Sequence, residues 1–121
     1  SLVLGYPVVS LLNGQTHASS RQTFTKGDAS LYEEYSAQLH VEEGFPATYL
    51  FHEVKDPSVP IVGSEKLAEA MEFLDIPYRF DRFKDEASEE VSLHGFGVTR
   101  LLPEASAWME NATSFLKERG F

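Results

Sequence analysis

The sequence contains no cysteine, which removes disulfides, thiolate nucleophiles, iron–sulfur clusters and cysteine zinc sites together. Positive charge is scarce: 10 Lys and Arg stand against 19 Asp and Glu, a formal net charge of −9. Such a surface repels the phosphate backbone of nucleic acid and an anionic membrane, so neither is an expected partner. No apolar stretch approaches the ~20 residues that cross a bilayer, and Ser1-Leu2-Val3-Leu4 has no basic flank before it. Neither a membrane span nor a signal peptide is expected, and the lean is to the cytoplasm. Internal repeats, low-complexity tracts and a dividing linker are also missing. The chain opens without an initiator Met and enters an apolar strand pattern at once, which suggests a piece of a longer protein.

What is present suits a packed domain. The 121 residues are 42% hydrophobic, enough for one compact unit over 1–121. Leu2 to Val9 is a short apolar run rich in β-branched residues, the pattern of a strand buried on both faces of a parallel sheet. Asn13 to Asp28 has no periodicity and reads as a surface loop. Ser30 followed by Glu33 forms a capping box, and Leu31, Tyr35 and Leu39 then recur near helical spacing, so a short helix is expected there. Pro46 to His52 reads as a second strand. From Ser64, with Ser64 itself as N-cap, Leu67, Ala70, Met71 and Leu74 mark a helix stopped by Pro77. Tyr78, Phe80 and Phe83 mark a third strand. A last helix begins near Pro103, with Ala105, Trp108, Met109, Ala112, Phe115 and Leu116 on one face. Strands alternating with helices predict an α/β fold of about three parallel strands covered by helices on both faces. Three strands leave the outer edge of the first one open, so the chain is expected to associate with itself or with a further segment.

Two loops carry the chemistry. Asp56-Pro57-Ser58-Val59-Pro60 follows the second strand, and His94-Gly95-Phe96-Gly97 follows the third, with His94 38 residues after Asp56. In α/β sheets, sites form where loops leave the carboxyl ends of strands, so an acid and a histidine on consecutive loops can converge there. A carboxylate accepting from Nδ1–H fixes the histidine tautomer and stabilises the imidazolium that forms when Nε2 takes a proton. As a metal set, His52, Glu53 and Asp56 fail because adjacent strand residues point to opposite faces and no second cluster completes the shell. No metal and no cofactor are expected. His52 reads as a packed or edge histidine, and His17 and His40 as loop and helix-end residues.

Taken together, Tyr6-Pro7-Val8, Thr16 to Arg21, His52 to Pro60, Asp75-Ile76-Pro77-Tyr78 and His94 to Gly97 resemble the carboxyl-terminal part of small acetyl esterases and xylan-esterase-like hydrolases of the α/β-hydrolase fold. Dienelactone-hydrolase-like enzymes and prolyl-oligopeptidase-type peptidases share the two loops. The resemblance makes Asp56 the acid and His94 the base of a catalytic triad, and implies hydrolysis of a small, short-acyl ester, with a peptidase or a non-catalytic fragment as alternatives. It also implies a serine in a Gly-x-Ser-x-Gly elbow, and this pattern does not occur in the 121 residues. Gly63-Ser64 is the nearest imitation, with Lys66 where the closing Gly would stand. This chain by itself is therefore expected to be weak or inactive. The related enzymes reach the histidine through a short turn, whereas here Lys84 to Ser92 forms a longer acidic loop. Carboxylates ringing the site would disfavour anionic substrates.

Overall fold

The computed structural model describes residues 1–95, 98 and 101–121, so Phe96 and Gly97 of the histidine loop lie outside the described residues. Three strands, β1 (Leu2–Gly5), β2 (Thr48–Glu53) and β3 (Tyr78–Phe83), form one parallel sheet in the order β1-β2-β3. The helices are α1 (Ala18–Thr25), α2 (Val62–Phe73) and α3 (Trp108–Lys117).

The central strand β2 is buried along its whole length, and its alternation divides the core in two. Tyr49 and Phe51 join Phe83, Leu102, Ala112 and Phe115 on the α3 face. Leu50 packs with Leu67, Ala68 and Met71 of α2 on the other. Helices thus cover both faces of an α/β sheet, as expected. Period-two alternation also decides the polar residues at the end of β2: His52 goes with Leu50 toward α2, and Glu53 goes with Phe51 to the opposite face.

Several local expectations fail for physical reasons. The first strand ends at Gly5 because Tyr6 turns into the left-handed region at φ 51°. It is not buried on both faces either, since Val3 remains 39% exposed. The expected loop at 13–28 contains α1, whose start is capped by His17 Nδ1 accepting from the Ser20 amide. This helix buries only Thr25, so it leaves no apolar stripe in the sequence. The helix expected from Ser30 is two single 3₁₀ turns, Ala29–Leu31 and Ala37–Leu39. Asp28, not Ser30, caps the first of them, by accepting from the Ser30 amide, and Tyr35 and Leu39 face solvent. On α3, Ala112 and Phe115 are buried but Met109 is exposed, and a 3₁₀ turn at Ala105–Ala107 precedes the helix.

The ring of Phe51 is the hub of the α3-side core. It stacks on Trp108 at 5.1 Å between centroids, with Tyr6 edge-on at 5.3 Å. Gly5, its partner in register on β1, makes the room: a Cβ built there would run into the Phe51 ring. Gly5→Ala is expected to destabilise the chain by ~1–3 kcal/mol through overpacking, read as a lower urea midpoint. An unchanged midpoint would show that the Phe51 ring yields without cost.

Candidate active site

The site lies at the carboxyl ends of β2 and β3. Asp56 follows β2 on a tight loop, and its buried carboxylate meets four donors. Oδ1 accepts from the backbone amides of Ser58 at 2.8 Å and Val59 at 2.9 Å. Oδ2 accepts from His94 Nδ1 at 2.8 Å and from His52 Nε2 at 3.1 Å. The Asp56 side chain is 0% exposed, while that of His94 is 36% exposed. Burial alone would raise the Asp56 pKa, but the hydrogen bonds from His52, His94 and the Val59 and Ser58 amides overcome it and hold the carboxyl well below the usual carboxylate range. Facing an ionised carboxylate, Nδ1 of His94 carries its proton, which leaves Nε2 able to accept one. Tyr6 closes the site from the turn after β1, its ring edge-on to His94 at 5.4 Å and to His52 at 5.6 Å.

His52 is fully buried. Its Nδ1 lies 2.9 Å from Ser64 Oγ on α2, and its Nε2 lies 2.9 Å from the Val59 carbonyl as well as near Asp56. The sequence reading made Ser64 an N-cap. The helix instead starts at Val62 with Ile61 as its cap, and Ser64 sits within the first turn. Ser64, His52 and Asp56 imitate a hydroxyl–imidazole–carboxylate line, but Ser64 is 0% exposed and no substrate reaches it.

No protein-family model matches the chain, and no curated protein matches it. Solved structures do. An acetyl ester-xyloside bifunctional hydrolase from Caldicellulosiruptor lactoaceticus superposes with a TM-score of 0.87 at 26% identity, over 98% of this chain and 42% of its own. The carboxylesterase Cest-2923 from Lactobacillus plantarum WCFS1 gives 0.74 at 25% identity, over 98% and 44%. A thermophilic esterase from the Planctomycetes species Thermogutta terrifontis gives 0.71 at 24%, over 98% and 42%, a likeness of fold. The chain has the fold of the carboxyl-terminal part of an esterase-type α/β-hydrolase. It spans less than half the length of these solved relatives.

The long acidic loop does not displace the histidine: His94 Nδ1 stays 2.8 Å from Asp56 Oδ2. Residues Glu86 to Glu90 are exposed, and Glu86 pairs with Lys55 of the Asp56 loop at 2.9 Å. The base of the loop is held by two buried acids: Glu53, which the sequence reading weighed only as a metal ligand, and Asp85, which it did not single out. Glu53 Oε2 accepts from the Asp85 amide at 3.1 Å, and the Asp85 carboxylate accepts from the amides of Glu104 at 2.8 Å and Ala105 at 2.7 Å. The loop that bears His94 is therefore closed at its stem. Glu53 also points away from His52 and Asp56, as strand alternation requires, so the three do not converge. Among the described residues, no group of three or more His, Asp or Glu is placed to hold a metal ion, and no helix is long and apolar enough to cross a membrane.

Burial, aided by the adjacent Asp85 carboxylate, raises Glu53 from 4.5 to about 7. A raised acid favours folding while it is protonated: its contribution is fully present below pH 4.5 and is lost as pH climbs through about 7. Glu53→Gln removes the titration while keeping shape, so it should gain stability over the parent at pH 8, on the order of 2 kcal/mol, and gain none near pH 4. Thermal unfolding of both proteins across this range checks it. An equal difference at both ends would place the buried charge elsewhere.

Proposed function

We propose that this chain is the acid-and-base portion of a carboxylic ester hydrolase acting on short-acyl esters, acetyl esters of carbohydrate among them. The observation that carries the proposal is the 2.8 Å contact between His94 Nδ1 and a buried Asp56 carboxylate, on consecutive loops of a sheet superposable on esterases. In the complete protein, Nε2 of His94 takes the proton of a serine hydroxyl as its oxygen attacks the ester carbonyl. The same nitrogen then protonates the departing alcohol. Asp56 holds the ring in the required tautomer and offsets the positive charge of the imidazolium. Water, deprotonated by the same base, releases the acid and restores the serine. The nucleophile and the oxyanion donors come from residues upstream of this chain, so the chain by itself has no turnover.

The same reading assigns the outer edge of β1. Among the described residues β1 pairs only with β2, and Val3, in register with Tyr49, stands exposed. The unpaired edge is the seat of the upstream half, and in its absence of a second copy of the chain. Sedimentation at tens of micromolar should show self-association, and a monodisperse monomer would count against this use of the edge.

The functional test is hydrolysis of p-nitrophenyl acetate by this chain and by a version extended upstream. Activity is expected in the extended protein alone, falling by at least ~10³-fold with His94→Ala. Activity in the short chain that disappears with His94→Ala would reveal a nucleophile within it. Silence in both lengths would favour a non-catalytic unit.

A further inference from the structure

We infer that His52, locked by Ser64, is a positioning residue that fixes the Asp56 carboxylate and through it the orientation of His94. The inference deepens the function proposed above and rests on it for its kinetic arm. Nε2 of His52 faces two groups that can only accept, Asp56 Oδ2 and the Val59 carbonyl. That nitrogen must carry hydrogen. With the proton of the neutral ring fixed on Nε2 by those two acceptors, Nδ1 accepts from the Ser64 hydroxyl, which holds the ring from its other side. The result is a continuous line from Ser64 Oγ–H through His52 to Asp56 Oδ2, where it meets the N–H of His94 coming from the other side.

Burial makes this line matter. Asp56 and His52 side chains are both 0% exposed, so water is not at hand to replace a missing donor. The amides of Ser58 and Val59 hold only Oδ1. Without His52, Oδ2 keeps the single mobile donor His94, and the carboxylate is free to turn about the Oδ1 anchor. The groups that face His52 are Asp56 and the Val59 carbonyl from its own loop, Ser64 from α2, and the Tyr6 ring from the turn after β1. Fixing a triad acid from behind is the task for which this set is arranged, since Ser64 and His52 are closed to substrate.

Three variants separate this role from simple packing. His52→Gln places an amide donor near the position of Nε2, His52→Leu fills the space without a donor, and Ser64→Ala removes the hydroxyl that holds Nδ1 and so loosens the ring. The readout in this chain is the ¹⁵N and downfield ¹H NMR signature of the His94 Nδ1–H. The parent and His52→Gln should show it; His52→Leu should lose it, and Ser64→Ala should weaken it. If His52→Leu fails to fold, Ser64→Ala against His52→Gln still decides. In the upstream-extended protein, kcat should fall about 10- to 100-fold for His52→Leu with KM unchanged, and His52→Gln should recover most of it. An unaltered His94 signature in folded His52→Leu or in Ser64→Ala overturns the inference. An intact signature pattern in an extended protein without esterase activity overturns the proposed function alone and leaves the positioning role standing.

Discussion

A single buried carboxylate organises the functional end of this molecule. Asp56 has lost its water, and an ionised carboxylate without water is costly unless donors replace it. Four donors do so: two amides of its own loop, one imidazole from the strand before it, and one from the next crossover. They come from three constraints of the fold. The amides depend on the tight turn after β2, His52 on the parity of β2, and His94 on the anchoring of the loop after β3. The depressed pKa of Asp56 summarises their joint effect, and the charge so maintained holds His94 in the tautomer a base requires.

The parity of β2 does most of the sorting. One face sends Tyr49 and Phe51 to α3, the other sends Leu50 and His52 to α2, and Glu53 follows Phe51. This puts one histidine behind the Asp56 carboxylate and one glutamate at the stem of the histidine loop, from adjacent positions in sequence. The two buried polar groups thus serve one side chain, His94, by opposite routes: His52 through the carboxylate it meets and Glu53 through the backbone that carries it. The Lys55–Glu86 pair links the same two loops in solvent, where it contributes little energy.

Strong periodicity and the approach of His94 to Asp56 are legible without coordinates; local capping is not. The three strands, α2 and the core face of α3 all announce themselves through apolar spacing, and Asp56 and His94 through their place after successive strands. The residues missed are those whose role depends on a partner distant in sequence. Ser64 has the composition of an N-cap, but its hydroxyl is drawn to His52 and the helix begins two residues earlier. Asp85 is indistinguishable in sequence from the solvated acids that follow it, yet it alone of that run is buried, because the amides of Glu104 and Ala105 await it. The helix α1 has no apolar stripe to reveal it, and the apparent stripe of Leu31, Tyr35 and Leu39 belongs to turns whose last two apolar side chains face water.

Under the proposed function, the chemistry depends on an ionised Asp56 held by four donors. The most direct measurement is the titration of its carboxyl carbon by ¹³C NMR in this chain. The midpoint should lie well below that of an ordinary aspartate, with the His94 Nδ1–H resonance persisting until the carboxylate protonates. A midpoint in the ordinary aspartate range, or a His94 resonance indifferent to it, would mean that the four donors do not act together and that Asp56 is only a turn residue.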